Sequence, residues 1–282
     1  MKVRIIVDSA ADLTAEVKSQ VTMIPLTVSF GDEEFADGIA LSREEFYQRL
    51  ESSDVLPKTS QASPAVYAEY FQAVADAGES AVVITLASAL SGTYQSAMIA
   101  SEDYPHIYVV DSKTATVGIG ILTMRALELV AEGKDAKTVA EVLERETEAV
   151  RLVAVLDTLE YMKRGGRISK ATAFAGNLLN IKPVISVQDG QIQVIGKARG
   201  NKQGNAMMLQ QIAQGGGVDM TRPYLLGYTG LSDEMLQKLM ADSAALWPEA
   251  PAAAGIGSVI GVHAGPGAVA IAYFRKLSKA EE

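Results

Sequence analysis

The sequence contains no cysteine and only two histidines, His106 and His263, among its 282 residues. Without cysteine the chain can form no disulfide, offers no thiol nucleophile and builds no thiolate zinc site. Two histidines are too few for a histidine-rich metal centre. We therefore expect no metal ion. We also expect no organic cofactor, although the counts of cysteine and histidine do not bear on that point.

Positive charge is also scarce. The chain has 25 Lys and Arg residues against 34 Asp and Glu residues, a net charge of -9. A negative field repels nucleic acid, so we expect no nucleic-acid partner. Polar residues interrupt the uncharged stretch 81–101, and Gly and Pro interrupt the stretch 250–274, so we expect no stable membrane insertion. The N-terminus MKVRIIVDSAAD reads as a strand rather than a signal peptide, which favours a cytoplasmic location.

Short apolar runs alternate with longer helical patterns over the first 150 residues. Strands are predicted at residues 3–7, 23–30, 81–86 and 107–110, and helices begin at residues 12, 42, 63, 92, 118 and 136. Ser42 and Glu45 form a capping-box signature, and Pro64 stands in the first turn of the helix that follows Ser63. This order predicts a doubly wound, mostly parallel sheet.

The second half of the sequence has a different pattern. Strands are predicted at residues 152–156, 224–228, 258–263 and 269–274, and helices at residues 159–164, 205–214 and 233–246. The runs 183–187 and 192–195 flank Asp189-Gly190, which predicts a β-hairpin. The fold class is therefore α/β in two parts, with the hairpin in the second. We treat residues 1–282 as one unit that divides near residue 150 into parts 1–150 and 151–282.

Two hydroxyl-rich segments precede predicted helices. They are Thr59-Ser60-Gln61-Ala62-Ser63-Pro64 and Ser88-Ala89-Leu90-Ser91-Gly92-Thr93. In an open α/β sheet, ligands bind at the carboxyl ends of the strands, where helix N-termini present free N–H groups. If the two segments meet, they form an uncharged clamp suited to one anion. The alternative is that these Ser and Thr residues only cap helices.

A glycine-rich run follows the second histidine. Residues 265–270 read G-x-G-x-x-A, but a strand is predicted next and only 12 residues remain, so a dinucleotide site is not expected. The run is then a tight loop that holds His263 at the end of a predicted strand. Basic residues cluster at Lys163, Arg164 and Arg167, either as solvated charges or as a dock for an anionic partner.

Seven motifs occur in a fixed order along the chain. They are VDSAADL at residues 7–13, KTSQASP at 58–64, SALSGTYQSA at 88–97, LDTLEYMKRGGRIS at 156–169, IKPVISVQDGQI at 181–192, KARG at 197–200 and HAGPGAVAI at 263–271. The series resembles the DegV family of bacterial fatty-acid-binding proteins over essentially the whole chain. One departure is Ala62, where the family usually has proline.

The resemblance implies a two-domain α/β fold that holds a long-chain fatty acid between its parts without catalysing a reaction. By that resemblance Thr59 and Ser91 bind the carboxylate and His263 lies near it. Their neighbours Ser60, Gly92 and Thr93 are possible supporting residues.

The resemblance also implies a protein partner. In the family a separate fatty acid kinase phosphorylates the bound carboxylate to an acyl phosphate, using ATP held on the kinase. The motif that contains Lys163, Arg164 and Arg167 is a candidate docking surface for such a kinase.

Two other classes of function remain open from the sequence. Ser91 with His263 as base could form a serine hydrolase or an acyl transferase, although the context of Ser91 is not the G-x-S-x-G elbow and no acid partner stands out. The chain could also be a binding module for a small molecule or a protein, with a fully packed interior and no lipid.

Overall fold

A computed structural model describes residues 1–53, 55–168 and 181–277 of the chain. Ser169, the last residue of the LDTLEYMKRGGRIS motif, therefore lies outside the described residues. The strands are β1 (Val3–Asp8), β2 (Thr22–Ile24), β3 (Thr27–Phe30), β4 (Glu33–Ala36), β5 (Lys58–Ser60), β6 (Ser80–Thr85), β7 (Ile107–Asp111), β8 (Val150–Val155), β9 (Ile181–Gln188), β10 (Gln191–Arg199), β11 (Tyr224–Tyr228), β12 (Ala253–Gly255) and β13 (Val269–Phe274). The α-helices are α1 (Ala15–Lys18), α2 (Arg43–Ser52), α3 (Pro64–Asp76), α4 (Thr93–Ser101), α5 (Val117–Ala131), α6 (Ala136–Glu146), α7 (Glu160–Arg164), α8 (Gly200–Gln214), α9 (Glu234–Ser243) and α10 (Ser258–Ala264).

The first sheet has the strand order β2-β1-β6-β7, and every pair in it is parallel. Strand β6 is buried along its whole length, as a parallel strand covered on both faces should be. The predicted doubly wound sheet is confirmed. The capping box of Ser42 and Glu45 and the cap of Ser63 before Pro64 are confirmed as well.

The second sheet has the order β10-β9-β8-β13-β11-β12 and is antiparallel except for the pair β11–β12. It contains the predicted hairpin, whose turn is Asp189-Gly190. Successive residues of β8 belong to different cores: Leu152 and Ala154 face the main core of the molecule, and Val153 and Val155 face a second core that includes residues of α8 and α9. This alternation follows from the two-residue period of a strand.

The predicted strand at residues 23–30 is wrong as a single element. The chain breaks after Ile24 at Pro25, which has no N–H to continue the ladder. Strand β2 then belongs to the first sheet, while β3 joins a small antiparallel sheet of order β4-β3-β5. The pairing of Val28 with Thr59 in that small sheet positions one candidate site residue.

The predicted strand at residues 258–263 is wrong, because these residues form helix α10. Its Val and Ile side chains suggested a strand, but tertiary packing overrides such weak propensities. Gly257, just before the helix, donates its N–H to Asp12 Oδ1 at 2.7 Å, and Val259 and Val262 are buried one turn apart. His263 therefore lies in the last turn of a helix. Strands β4, β5 and β12, which the sequence analysis missed, have only three or four residues each.

The β1 strand leads to two buried carboxylates. Asp8 accepts hydrogen bonds from the N–H groups of Ala10 and Leu86. Asp12 accepts from Gly257 N–H and from the Thr116 hydroxyl, the latter at 2.6 Å. These bonds join the first strand to segments that are far away in the sequence. Burial outweighs the hydrogen bonds and raises the pKa of Asp8 to about 6 and of Asp12 to about 7, from an ordinary value of 3.8.

These pKa shifts predict a pH-dependent stability. Because the folded pKa lies above the unfolded one, the folded state binds protons more tightly, and stability is lost as the pH rises through about 6 to 7. We expect Asp12→Asn to remove about 1 kcal/mol per pH unit of this slope between about pH 5 and pH 7, and less above pH 7, where the folded carboxyl group is already largely ionised. Urea unfolding at several pH values measures the effect, with Asp103→Asn at an exposed position as the control. An unchanged slope in Asp12→Asn would contradict the prediction.

Candidate functional site

A cavity of about 330 Å³ lies where the carboxyl ends of β6 and β7 meet one face of the second sheet. This volume falls within the range of ligand pockets, roughly 300–1,000 Å³. Most of the lining is aliphatic: Leu26, Leu86, Leu90, Ala115, Leu152, Ala154, Leu156, Met162, Ile185, Val187, Ile192, Ile256, Val259, Ile260, Ala264, Ala268 and Ala270. An interior that is open and apolar can take a hydrocarbon chain.

The polar end of the cavity lining comes from five segments of the chain. They are Thr59, Ser60 and Gln61 around the end of β5, Ser91 and Gly92 before α4, Thr116 before α5, Arg167 after α7, and His263 in α10. The two hydroxyl-rich segments therefore line one cavity. They also touch, since a Cβ on Gly92 would collide with Gln61 Oε1.

Thr59 and His263 form a direct pair, with 2.9 Å between Thr59 Oγ1 and His263 Nε2. Burial lowers the pKa of His263 to about 4, and the nearby charge of Arg167 acts in the same direction. The imidazole is thus neutral at physiological pH and carries one proton. Its Nδ1 is buried without a hydrogen-bond partner in the described part of the chain, and Gly165 packs so closely that a Cβ there would collide with Nδ1.

The tautomer of His263 follows from this environment. A proton on Nδ1 would be a buried donor with no acceptor, which is costly. We therefore place the proton on Nε2, so that His263 donates to Thr59 Oγ1. The Thr59 hydroxyl proton is then available for a ligand in the cavity.

Ser91 is held in a comparable way from the other side. Its Oγ accepts the N–H of Thr93 at 3.3 Å and lies 2.7 Å from the buried Thr93 Oγ1. When Thr93 donates both bonds, the Ser91 proton is free to point into the cavity. Ser91 also precedes α4, whose first turn has no acidic residue to offset the positive end of the helix dipole.

An outer pocket of about 390 Å³ adjoins the polar end of the cavity. Thr59, Arg167 and His263 line both spaces, so they form the boundary between them. Its other lining residues include Lys58 and Arg164, which makes the outer pocket basic. Lys163 and Arg164 are exposed on α7 beside it.

Three residues have contacts at the site that were not predicted from the sequence. No role was predicted for Gln61 or Gly165, and Arg167 was not expected to line both the cavity and the outer pocket. Gln61 lines the cavity and donates from Nε2 to Ser96 Oγ at 2.8 Å. Gly165 allows the close approach of His263. Arg167, predicted only as a docking residue, lines the cavity and donates to the carbonyl groups of Leu90 and Gly165. The sequence signal that could have identified these residues is their place in two motifs, TSQ for Gln61 and GGR for Gly165 and Arg167.

Ser91 and His263 make their hydrogen bonds to different partners, Thr93 and Thr59 respectively. A serine nucleophile needs its base within hydrogen-bond reach. Across residues 1–53, 55–168 and 181–277, no group of three or more His, Asp or Glu side chains is arranged to hold a metal ion. In the same part of the chain, no helix is both long and apolar enough to cross a bilayer.

The burial of His263 predicts its titration. NMR of the ligand-free protein should show an imidazole that stays neutral from about pH 5 upward, because burial disfavours the cation. The exposed His106 gives a reference signal in the same spectrum. A pKa of His263 at or above 6.5 would show that the imidazole is not enclosed as described.

The sequence model of the DegV family, whose members are described as uncharacterised, matches residues 2–276. A DegV domain-containing protein of Deinococcus radiodurans is 33% identical over 96% of this chain and 98% of its own length. Another, from Caldanaerobacter subterraneus, is 32% identical over 98% of this chain and 99% of its own.

Two solved structures are similar to this chain over nearly its whole length. A DegV family protein from Thermus thermophilus, described by its fatty acid binding, superposes with a TM-score of 0.87 at 30% identity and covers 97% of this chain and 100% of its own. A stearic-acid-binding protein from Eubacterium ventriosum gives a TM-score of 0.86 at 30% identity, over 97% of this chain and 98% of its own.

Proposed function

We propose, since this chain belongs to the DegV family, that it binds one long-chain fatty acid in the cavity and acts as a non-catalytic carrier. The observation that carries the proposal is the division of the cavity into an aliphatic interior and one hydroxyl-bearing end. The fatty acid binding described for the relatives from Thermus thermophilus and Eubacterium ventriosum supports it. We also propose that the fold divides into two domains near residue 150, between β7 and β8.

The hydrocarbon tail supplies most of the affinity in this account. Burial of a methylene group contributes about 0.8 kcal/mol, so the tail of a long-chain fatty acid contributes on the order of 10 kcal/mol before the costs of association are subtracted. The lining that would receive it comes from β8, β9, β13 and α10. These elements pack into the main core and present a preformed surface.

The carboxylate lies, in our proposal, against the hydroxyl groups of Thr59 and Ser91. Each hydroxyl oxygen already has a neighbour that can donate to it, His263 for Thr59 and Thr93 for Ser91. Both hydroxyl protons can then be donated to the ligand. Hydrogen bonds of this kind to a charged acceptor are stronger than neutral ones. Ser60 and Gly92 line the cavity beside these two residues and complete the rim.

The carboxylate remains within reach of a protein partner, because the outer pocket begins at Thr59 and His263. We propose that a separate fatty acid kinase docks here and phosphorylates the bound carboxylate to an acyl phosphate. The exposed cations Lys163 and Arg164, together with Arg167, give this face a local positive charge on an otherwise acidic protein. Such a patch favours approach by an acidic surface.

A hydrolase or acyl transferase that uses Ser91 and His263 has less support. Ser91 is hydrogen-bonded to Thr93 and His263 to Thr59, so the two side chains are not paired with each other as a nucleophile and its base. A burst of nitrophenol from a nitrophenyl ester, lost in Ser91→Ala, would nevertheless establish it.

Removal of the clamp hydroxyls tests the proposed carboxylate site. We expect Thr59→Ala and Ser91→Ala each to weaken fatty acid binding about tenfold or more, because each removes a hydrogen bond to a charged group. Calorimetric titration with a long-chain fatty acid measures the effect. Ser101→Ala removes an exposed hydroxyl from α4 and serves as the control. Unchanged affinity in the double variant would refute the assignment of the carboxylate to these hydroxyls.

Charge reversal tests the proposed docking surface separately from the ligand site. Lys163 and Arg164 do not line the cavity, so we expect Lys163→Glu and Arg164→Glu to leave the affinity for fatty acid unchanged. The rate of acyl phosphate formation with a fatty acid kinase should fall, and its salt dependence should weaken. Lys137→Glu, at an exposed position of α6, changes the net charge by the same amount as each single reversal and is the control. Equal rates for the docking and control variants would place the kinase elsewhere.

A further inference from the structure

We propose that Tyr47 and Arg43 of α2 are positioning residues for the carboxylate site. They hold the start of α10, and thereby place His263 within hydrogen-bond distance of Thr59. Neither Tyr47 nor Arg43 belongs to the cavity lining, so each acts on a ligand through α10 rather than by contact. The inference rests on the proposed function, because it concerns the hydroxyl group that is proposed to bind the carboxylate.

The carbonyl group of Ile256, just before α10, accepts hydrogen bonds from both residues. Tyr47 Oη donates to it at 3.0 Å and Arg43 Nε at 3.3 Å. Arg43 also donates from Nη2 to the Gly230 carbonyl at 2.6 Å. Its guanidinium group lies 5.3 Å from the ring centre of Tyr47 and 4.7 Å from that of Tyr228. The arginine is thus enclosed between two aromatic rings, a favourable place for a cation.

The peptide group that leads into α10 is bonded at both of its polar ends. Its carbonyl oxygen is that of Ile256, and its N–H is that of Gly257, which donates to Asp12. A planar trans peptide directs these two groups to opposite sides. Tyr47 on one side and Asp12 on the other therefore fix the plane of the peptide, and with it the direction in which α10 starts.

Helices α2 and α10 also touch further along. A Cβ added to Gly261 would lie 2.5 Å from Phe46 Cε1 and 2.8 Å from Tyr47 Oη, so the backbone of α10 lies directly on α2. Because α10 has only seven residues and is about 10 Å long, a shift at its start carries through to His263 in its last turn.

The segment that contains α2 also carries Thr59. Strand β3 precedes α2 and strand β5 follows it, and the two strands pair through Val28 and Thr59. Helix α10 packs against α2, β3 and β5. The hold of α2 on α10 therefore sets the 2.9 Å distance between His263 Nε2 and Thr59 Oγ1.

A double-mutant cycle tests whether Tyr47 acts through this pair. Tyr47→Phe removes one oxygen atom from a fully buried ring, and we expect it to weaken fatty acid binding about fivefold. In the Thr59→Ala background it should cause no further loss, because the pair that it positions is already broken. Calorimetric titration with a long-chain fatty acid measures both steps. An equal loss in both backgrounds, or no loss in either, would overturn the proposal.

The ring-nitrogen NMR signals of His263 give a second readout that needs no ligand. The wild type should show the fixed Nε2–H tautomer. Tyr47→Phe should shift the signals toward the average of two tautomers. Arg43→Lys should do the same, because lysine keeps the charge but lacks the planar guanidinium group. Signals identical to the wild type in both variants would overturn the proposal.

Tyr104→Phe is the matched control. It also removes a tyrosine hydroxyl that donates to a backbone carbonyl, that of Ala68 at 3.4 Å, but α10 is not involved. It should change neither the affinity for fatty acid nor the signals of His263. A wild-type protein that binds no fatty acid would refute the proposed function, whereas the signals of His263 would still decide whether α2 positions the imidazole.

Discussion

The carboxylate of Asp12 fixes the geometry on which the cavity depends. It holds the Gly257 N–H at the start of α10 and the Thr116 hydroxyl at the start of α5, so three distant segments meet at one buried group. Thr116 has a positive φ of 51°, and Gly120 packs so closely that a Cβ would lie 2.7 Å from the Asp12 carbonyl. Helix α10 is thereby held across the cavity with Val259, Ile260 and His263 on its lining.

In our proposal neutral donors hold the ligand carboxylate, rather than an ion pair. Buried His263 stays uncharged and donates to Thr59 Oγ1, which fixes the direction of the Thr59 hydroxyl. An arginine fork that gripped the carboxylate would neutralise it and occupy its lone pairs. Arg167 instead bonds backbone carbonyl groups at the boundary between the two pockets. In our proposal this arrangement leaves binding energy to the tail and leaves the carboxylate accessible to a second protein.

Local signals in the sequence were sufficient for much of the fold. Apolar runs located β1, β6 and β7, and the caps at Ser42 and Ser63 located α2 and α3. The local signals failed where tertiary contacts determine the secondary structure. Helix α10 is rich in Val and Ile, but its start is hydrogen-bonded to Asp12 and its side chains pack into the main core, and these contacts favour the helix. The hydroxyl segments were visible in the sequence, but the contact of Gly165 with His263 was not, since it joins residues nearly 100 positions apart.

Native mass spectrometry of the freshly purified protein, followed by solvent extraction of what it releases, tests the central claim most directly. We predict one long-chain fatty acid per chain at near-stoichiometric occupancy, since an open aliphatic cavity with a polar end favours such a ligand over water. A protein that is empty as purified and also refuses added fatty acid would contradict it.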